Sequence, residues 1–202
     1  MQRDVPGQVN SSSMSYEAFL AWADEDVGAE WVNGEILLTP TASSRHQDLV
    51  GFFVALLGIF VEARGLGKVL SAPFQMKIAN SGREPDVLFL AKERLARLTP
   101  MYLDGPADLV IEIVSPESAG RDRGDKFYEY GAGGVPEYWL IDPQRQWVEF
   151  YRREGEHYHL AHTGAEGVYH AMVLPGFWLR VEWLWQEPLP QVLPALRELG
   201  VL

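Results

Sequence analysis

The sequence predicts an α/β or α+β fold built as one domain, and three observations lead there. At 202 residues and about 150 residues per domain, the chain has material for roughly one core. Hydrophobic residues make up 47% of it, which is enough to fill an interior and excludes a disordered chain. The pattern along the chain is helix, three strands, helix, two strands, and two of those strands are so continuously apolar that both faces must be covered.

Composition excludes several chemistries. There is no cysteine, so disulfides, thiolate metal sites and cysteine nucleophiles are ruled out. The longest apolar run, residues 49–61, falls short of the roughly 18 residues that span a bilayer. Asp4, Pro6, Gly7 and Ser11 to Ser13 leave no apolar signal core at the N-terminus, and a soluble, cytoplasmic protein without membrane partners is expected. The net charge is −11, which opposes generic adhesion to nucleic acid. The acid is unevenly spread, however. Residues 41–130 hold 11 Lys and Arg against 12 Asp and Glu, and the two flanks hold 6 against 16. A polyanion can therefore approach the middle of the chain.

Taken in order, residues 1–13 read as a flexible arm and residues 14–202 as the domain. Ser15 is a plausible N-cap for a short helix over residues 15–23, ended by Asp24-Glu25-Asp26. Asn33-Gly34 between Glu30-Trp31-Val32 and Glu35-Ile36-Leu37-Leu38 is a type I′ hairpin signal. Ser44-Arg45-His46-Gln47 has capping-box spacing. The helix it opens carries Leu49, Phe53, Leu56 and Phe60 at helical period and stops at Gly65 and Gly67. His46 shares the buried face of that helix with Val50 and Phe53. Strands follow at residues 68–78, 85–91 and 108–115, then a helix at 121–130 and strands at 138–141 and 147–151. The C-terminal part alternates as a small antiparallel extension, and a short helix is expected after Pro194.

Glu112 stands alone in the apolar run Leu109-Val110-Ile111-Glu112-Ile113-Val114. A carboxylate there loses its hydration and requires a cation or donor in compensation. Asp86 opens the strand Pro85-Asp86-Val87-Leu88-Phe89. If the two strands are neighbours, both acids can converge on one hard divalent ion, Mg²⁺ or Mn²⁺, whose shell is completed by water and phosphate. Taken singly, each acid is as well explained by a salt bridge. Asp122 and Lys126 are spaced i, i+4, on one helix face with Tyr130. By spacing alone they form a solvated ion pair, but a helix returning from the Glu112 strand can also aim Lys126 at the carboxylates.

Asp86 after Pro85, with Glu112 on the next strand, resembles the PD-(D/E)XK nuclease superfamily. The lysine usually found two residues after the glutamate is replaced by Val114. A wider set is similar to one branch of that superfamily, the putative restriction endonuclease domain family of the Uma type. It includes Glu30-Trp31-Val32-Asn33-Gly34-Glu35-Ile36, Arg45-His46, Glu84-Pro85-Asp86-Val87, Arg121-Asp122-Arg123-Gly124-Asp125-Lys126 and Gly134-Val135-Pro136-Glu137-Tyr138-Trp139, in order over residues 15–184. The resemblance implies a restriction-endonuclease-like mixed central sheet flanked by helices. It implies a Mg²⁺- or Mn²⁺-dependent endonuclease acting on DNA, with a homodimer allowed. Asp86 and Glu112 would hold the metal, with the Ile113 carbonyl as a further ligand. Lys126, displaced onto the following helix, would steer or deprotonate the attacking water. Glu30, Glu35 and His46 match the pattern near the site, as catalytic or structural residues.

Other readings are weaker. His157, His159, His162 and His170 lack a helical His-x-x-x-His pair and read as exposed strand residues. Trp139, Trp147, Trp178 and Trp183 sit in apolar patterns typical of cores or subunit interfaces. A non-catalytic nucleic-acid or protein-binding module on the same fold is the main rival. A glycosidase using Asp86 and Glu112 as paired carboxylates is a second.

Overall fold

A computed structural model describes residues 14–23, 28–38 and 41–202. The expected arm over residues 1–13 and the acidic break at Asp24-Glu25-Asp26 lie outside the described residues. Helix α1 (Tyr16–Trp22) is capped by the Ser15 side chain, which accepts from the Ala18 N–H. Strands β1 (Ala29–Val32) and β2 (Glu35–Leu38) form the expected hairpin. Asn33 and Gly34 take φ of 50° and 90°, the left-handed pair that a type I′ turn requires.

Helix α2 (Ser44–Arg64) ends at Gly65 as expected, but its N-cap is Ser43, one residue earlier than the sequence pattern indicates. The Ser43 hydroxyl accepts from the His46 N–H. Both serines have the chemistry, and the register of the helix against its sheet selects between them. By length and composition α2 could cross a membrane. Here its apolar face, including Leu49, Phe53, Leu56 and Phe60, is core.

The single strand expected over residues 68–78 is two, β3 (Gly67–Ser71) and β4 (Gln75–Ile78), separated at Ala72-Pro73. Proline cannot donate to a ladder, so the run divides between two sheets. Two strands were not visible in the periodicity, β5 (Ser81–Arg83) and β7 (Tyr102–Asp104). Each spans three residues, too few to establish alternation. β6 (Val87–Ala91) and β8 (Leu109–Ile113) are where expected. The helix expected over 121–130 is broken at Gly124 into α3 (Ala119–Arg123) and α4 (Asp125–Gly133). β9 (Glu137–Asp142), β10 (Trp147–Glu154) and β11 (His157–Gly164) follow. β12 (Val168–His170) and β13 (Trp178–Arg180) form the small antiparallel extension. α5 (Val192–Glu198) begins before Pro194 and includes it in its first turn, where a missing N–H costs nothing.

A mixed six-stranded sheet runs β11-β10-β9-β8-β6-β3, with β8 and β9 parallel, and a second sheet runs β2-β1-β5-β4-β7. Alternation divides the six-stranded sheet into two faces. Val87, Phe89, Leu109, Ile111, Trp139 and Ile141 pack with α2. Leu88, Leu90, Val110, Val114, Tyr138 and Leu140 pack with Tyr130 of α4 and with Met76, Ile78 and Leu103 of the second sheet. Glu112 alternates onto this second face.

One fully buried acid organises the C-terminal part. Glu137, at the start of β9, accepts from the Trp139 indole at 3.0 Å, the Tyr169 hydroxyl at 2.6 Å and the N–H groups of Met172 and Val173 at 2.8 and 3.0 Å. Four donors compensate its desolvation. The histidine and tryptophan expectations hold in part. His157, His159 and His170 are exposed, whereas His162 is partly buried and stacks on Phe150. Trp139 and Trp183 are core, but Trp147 is exposed.

Candidate active site

The pairing Val87↔Ile111 between antiparallel β6 and β8 brings Asp86, just before β6, opposite Glu112. The two acids are therefore neighbours at one end of the sheet, as the sequence predicts for adjacent strands. Asp86, Glu112, Lys126, Glu30, His46 and Ile113 all line one cavity of about 730 Å³. Glu35 is exposed on β2 and is not among the lining residues.

Each of the two strand acids is saturated on one oxygen. Asp86 Oδ2 accepts from the Ile113 N–H at 2.7 Å and faces His46 Nε2 at 3.1 Å. Glu112 Oε1 accepts from Lys126 Nζ and from the Tyr130 hydroxyl, both at 2.9 Å. Asp86 Oδ1 and Glu112 Oε2 have no hydrogen bond among the described residues. Lys126 and Tyr130 reach the same carboxylate because they lie one turn apart on α4.

Lys126 is only 5% exposed. Beyond Glu112 it contacts Glu30 Oε1 at 3.2 Å and Asp122 Oδ1 at 3.6 Å. The i, i+4 pair expected with Asp122 therefore exists, but it is buried and is the longest of the three contacts. Burial opposes the charge on Lys126, and the Glu112, Glu30 and Asp122 carboxylates outweigh it, raising the ammonium pKa above its usual range. Burial pushes the Glu112 carboxyl well up against the pull of Lys126. Asp122 is raised for the same reason. Its Oδ2 accepts from the Ser118 hydroxyl at 2.5 Å, while Oδ1 is buried without a hydrogen bond.

Arg83 completes the cluster, and sequence reasoning did not find it. Its guanidinium meets Glu30 at 2.9 Å and grips both oxygens of Glu129 at 2.7 and 2.8 Å. Glu30 also accepts from the Glu84 N–H. Burial resists ionisation of Glu30, but Lys126 and Arg83 overcome it and hold the carboxyl below its ordinary value. Glu84 makes no ion pair among the described residues, and the Lys126 charge does not outweigh its burial. Burial and the Glu30 charge push it up to about 7, although Gln75 Nε2 donates to it at 2.8 Å. In His46, burial opposes protonation, and the bond to Asp86 more than offsets that and raises the imidazole pKa. The only local signal for Arg83 is its place before Glu84-Pro85-Asp86; nothing in the sequence locates its partners 46 and 53 residues away.

The donor set fits a hard divalent cation. Two carboxylates from adjacent strands, each with one unengaged oxygen, match an ion that keeps waters and takes substrate oxygens. No group of three His, Asp or Glu side chains among the described residues is arranged to enclose a metal, so protein side chains alone would leave such a shell open. Acidic side chains are also crowded here. Glu30, Glu84, Asp86, Glu112 and Asp122 gather around Arg83 and Lys126.

A family model described as Uma2, putative restriction endonuclease, matches residues 16–182. The uncharacterized protein sll1609 of Synechocystis sp. is 30% identical over 132 residues, covering 63% of this chain and 73% of that protein. Among solved structures, the crystal structure of a putative nuclease belonging to DUF820 from Anabaena variabilis superposes with a TM-score of 0.73 at 18% identity, covering 84% of this chain and 96% of that one. At that identity the likeness speaks to fold, and the fold is the mixed α and β architecture read from the sequence.

Proposed function

The chain belongs to the Uma2 family of putative restriction endonucleases, and from that premise we propose that the cavity hydrolyses phosphodiester bonds of DNA with Mg²⁺ or Mn²⁺. Nuclease activity is the family-level reading; the metal, the DNA substrate and the residue roles are our assignment. The observation that carries it is the pair of unengaged oxygens on Asp86 and Glu112, facing one cavity beside a buried lysine.

Asp86 and Glu112 would hold the cation, with the Ile113 carbonyl as a further ligand. A divalent ion held there would neutralise charge on the phosphate and lower the pKa of water. The protein's own residues do the rest. Of the two roles expected of Lys126, we assign steering rather than deprotonation, because three carboxylates keep it an ammonium. A fixed cation next to the metal-holding acids favours charge that develops on the phosphoryl oxygens. Water oxygen would then bond to phosphorus as the bond to the leaving sugar oxygen breaks, the water's proton passing to solvent and the departing oxygen taking one from solvent. Glu30 acts through Lys126: all its hydrogen bonds are to protein groups, which suits a positioning residue. His46 likewise orients Asp86. In this reading the protein is cytoplasmic, works alone or as a homodimer, and binds DNA weakly without a specific site or partner.

The test is cleavage of supercoiled plasmid and single-stranded DNA with Mg²⁺ or Mn²⁺, comparing wild type with Asp86→Asn and Glu112→Gln. Metal-dependent cleavage lost in both variants is expected. Cleavage that survives both substitutions would remove the assignment, and no cleavage on any substrate would move the reading to a binding module.

A further inference from the structure

Four basic side chains line the cavity: Arg45, His46, Arg121 and Lys126. Three are occupied. Lys126 is locked among carboxylates and His46 faces Asp86. Arg45 donates to the carbonyls of Leu184 and Gln186 and lies near Glu187. Arg121 alone has no side-chain hydrogen bond or ion pair among the described residues, and its Nε is buried without a partner.

An arginine in this state is unusual. Its planar fork of donors matches a carboxylate or phosphate bidentately, and a buried N–H left unpaired costs free energy. Acids are close at hand. Glu117 and Asp122 line the same cavity on the same stretch of chain, yet Asp122 is committed to Ser118 and Lys126 and Glu117 makes no ion pair among the described residues. The side chain lines the same cavity as Asp86 and Glu112, and no acid among the described residues pairs with it.

We infer that Arg121 is the phosphate-binding residue of the cavity, gripping a backbone phosphate of the strand being cut. This rests on the nuclease reading of the same site and adds the group that recognises the substrate. Arg121 also counters the acid crowded around Glu112, which would otherwise repel a polyanion. The remaining negative charge falls to the divalent ion.

The test is equilibrium binding rather than turnover. Fluorescence anisotropy of a labelled single-stranded DNA of about 15 nucleotides is followed in Ca²⁺ across a range of KCl, for wild type, Arg121→Ala, Arg121→Lys and Arg197→Ala. Arg197 is an exposed arginine of α5 outside the cavity. One lost phosphate contact lowers the salt slope of a single-stranded complex by about 0.7. Arg121→Ala is expected to show that drop with roughly tenfold weaker binding. Arg121→Lys should keep the slope and recover part of the affinity, and Arg197→Ala should match wild type. The lysine variant guards against misfolding: if both Arg121 variants melt early and bind alike, the role is structural and the inference falls. Unchanged affinity and slope in Arg121→Ala, with wild-type cleavage intact, overturn the inference and leave the nuclease reading standing. A wild type that neither binds nor cleaves overturns both.

Discussion

Lys126 and Tyr130 stand one helical turn apart on α4 and donate to the same atom, Oε1 of Glu112, each at 2.9 Å. Two donors converging on one oxygen fix the carboxylate plane and leave Oε2 unengaged. The first prediction tests that geometry. Tyr130→Phe removes one hydrogen bond to a buried acid without changing the packed ring, so a stability loss of about 1–2 kcal/mol is expected in urea denaturation. Metal affinity should fall with it, because Glu112 is then free to turn. A variant as stable as wild type, with unchanged metal response, would mean that Tyr130 does not orient the acid.

Mg²⁺ or Mn²⁺ should raise the melting temperature, since a ligand of the native state stabilises by RT ln(1 + [L]/Kd), about 2.7 kcal/mol at a hundredfold excess over Kd. Asp86→Asn and Glu112→Gln should abolish most of the shift. Burial raises the Glu112 carboxyl, so protons compete with the ion and the wild-type shift should shrink as pH falls. Equal shifts in wild type and both variants would assign the effect to the acidic surface.

Lys126→Ala leaves Glu112, Glu30 and Asp122 without their shared cation. Breaking a buried pair by removing one partner costs about 3–5 kcal/mol, so metal-free melts should drop sharply and divalent ion should restore part of the loss. In metal, turnover on DNA should fall by about 10² to 10³, the cost of losing one preorganised group that stabilises developing charge. A solvated surface pair, by contrast, would change stability by less than about 1 kcal/mol. Melting curves with and without metal distinguish the two cases.

Glu84 gives a pH signature. Its carboxyl is raised to about 7 from an ordinary 4.5, so between those values the native state binds the proton and the unfolded state does not. Stability from this group therefore declines as pH rises from 4.5 to 7. Glu84→Gln, neutral at every pH, should stabilise the protein relative to wild type at pH 8 and lose that advantage near pH 4.5. Metal-free thermal melts at the two pH values check it, and a pH-independent difference would refute it.

The break at Gly124 is required by close approach: a Cβ there would lie 2.6 Å from the carbonyl oxygen of Gly120. Neither backbone can yield cheaply, so Gly124→Ala should cost about 1–3 kcal/mol. It should also shift α4 enough to loosen the Lys126 contacts. Retained stability with full metal response would show that the α3–α4 junction is tolerant.

The parts of the fold legible in the sequence were those with long periods or fixed turn chemistry. α2, the Asn33-Gly34 hairpin and the buried strand around Glu112 were readable because hydrophobic spacing specifies each locally. The convergence of Asp86, Glu112 and Lys126 was readable because a charge in an apolar strand demands a partner. Arg83 was not, since its partners Glu30 and Glu129 arrive from distant elements. Three-residue strands such as β5 and β7 carry too little pattern to be seen. The choice of Ser43 over Ser44 as the cap, and the division of one expected helix at Gly124, are decided by tertiary contacts that local propensity does not encode.

The knot at Glu137 has a consequence for how the chain can be divided. Two of its four donors are backbone N–H groups of Met172 and Val173 and a third is the Tyr169 hydroxyl, all beyond the last strand of the six-stranded sheet. A protein trimmed after residue 165 would keep every cavity-lining side chain except Glu187. It would nevertheless leave the Glu137 carboxylate with only the Trp139 indole and uncover the Phe60 and Trp139 rings that Phe177 covers. Arg45 would also lose the Leu184 and Gln186 carbonyls that anchor it at the cavity rim. The last segment therefore acts as scaffolding that supplies almost no chemistry, and a minimal active fragment cannot be obtained by cutting back to the residues that line the cavity.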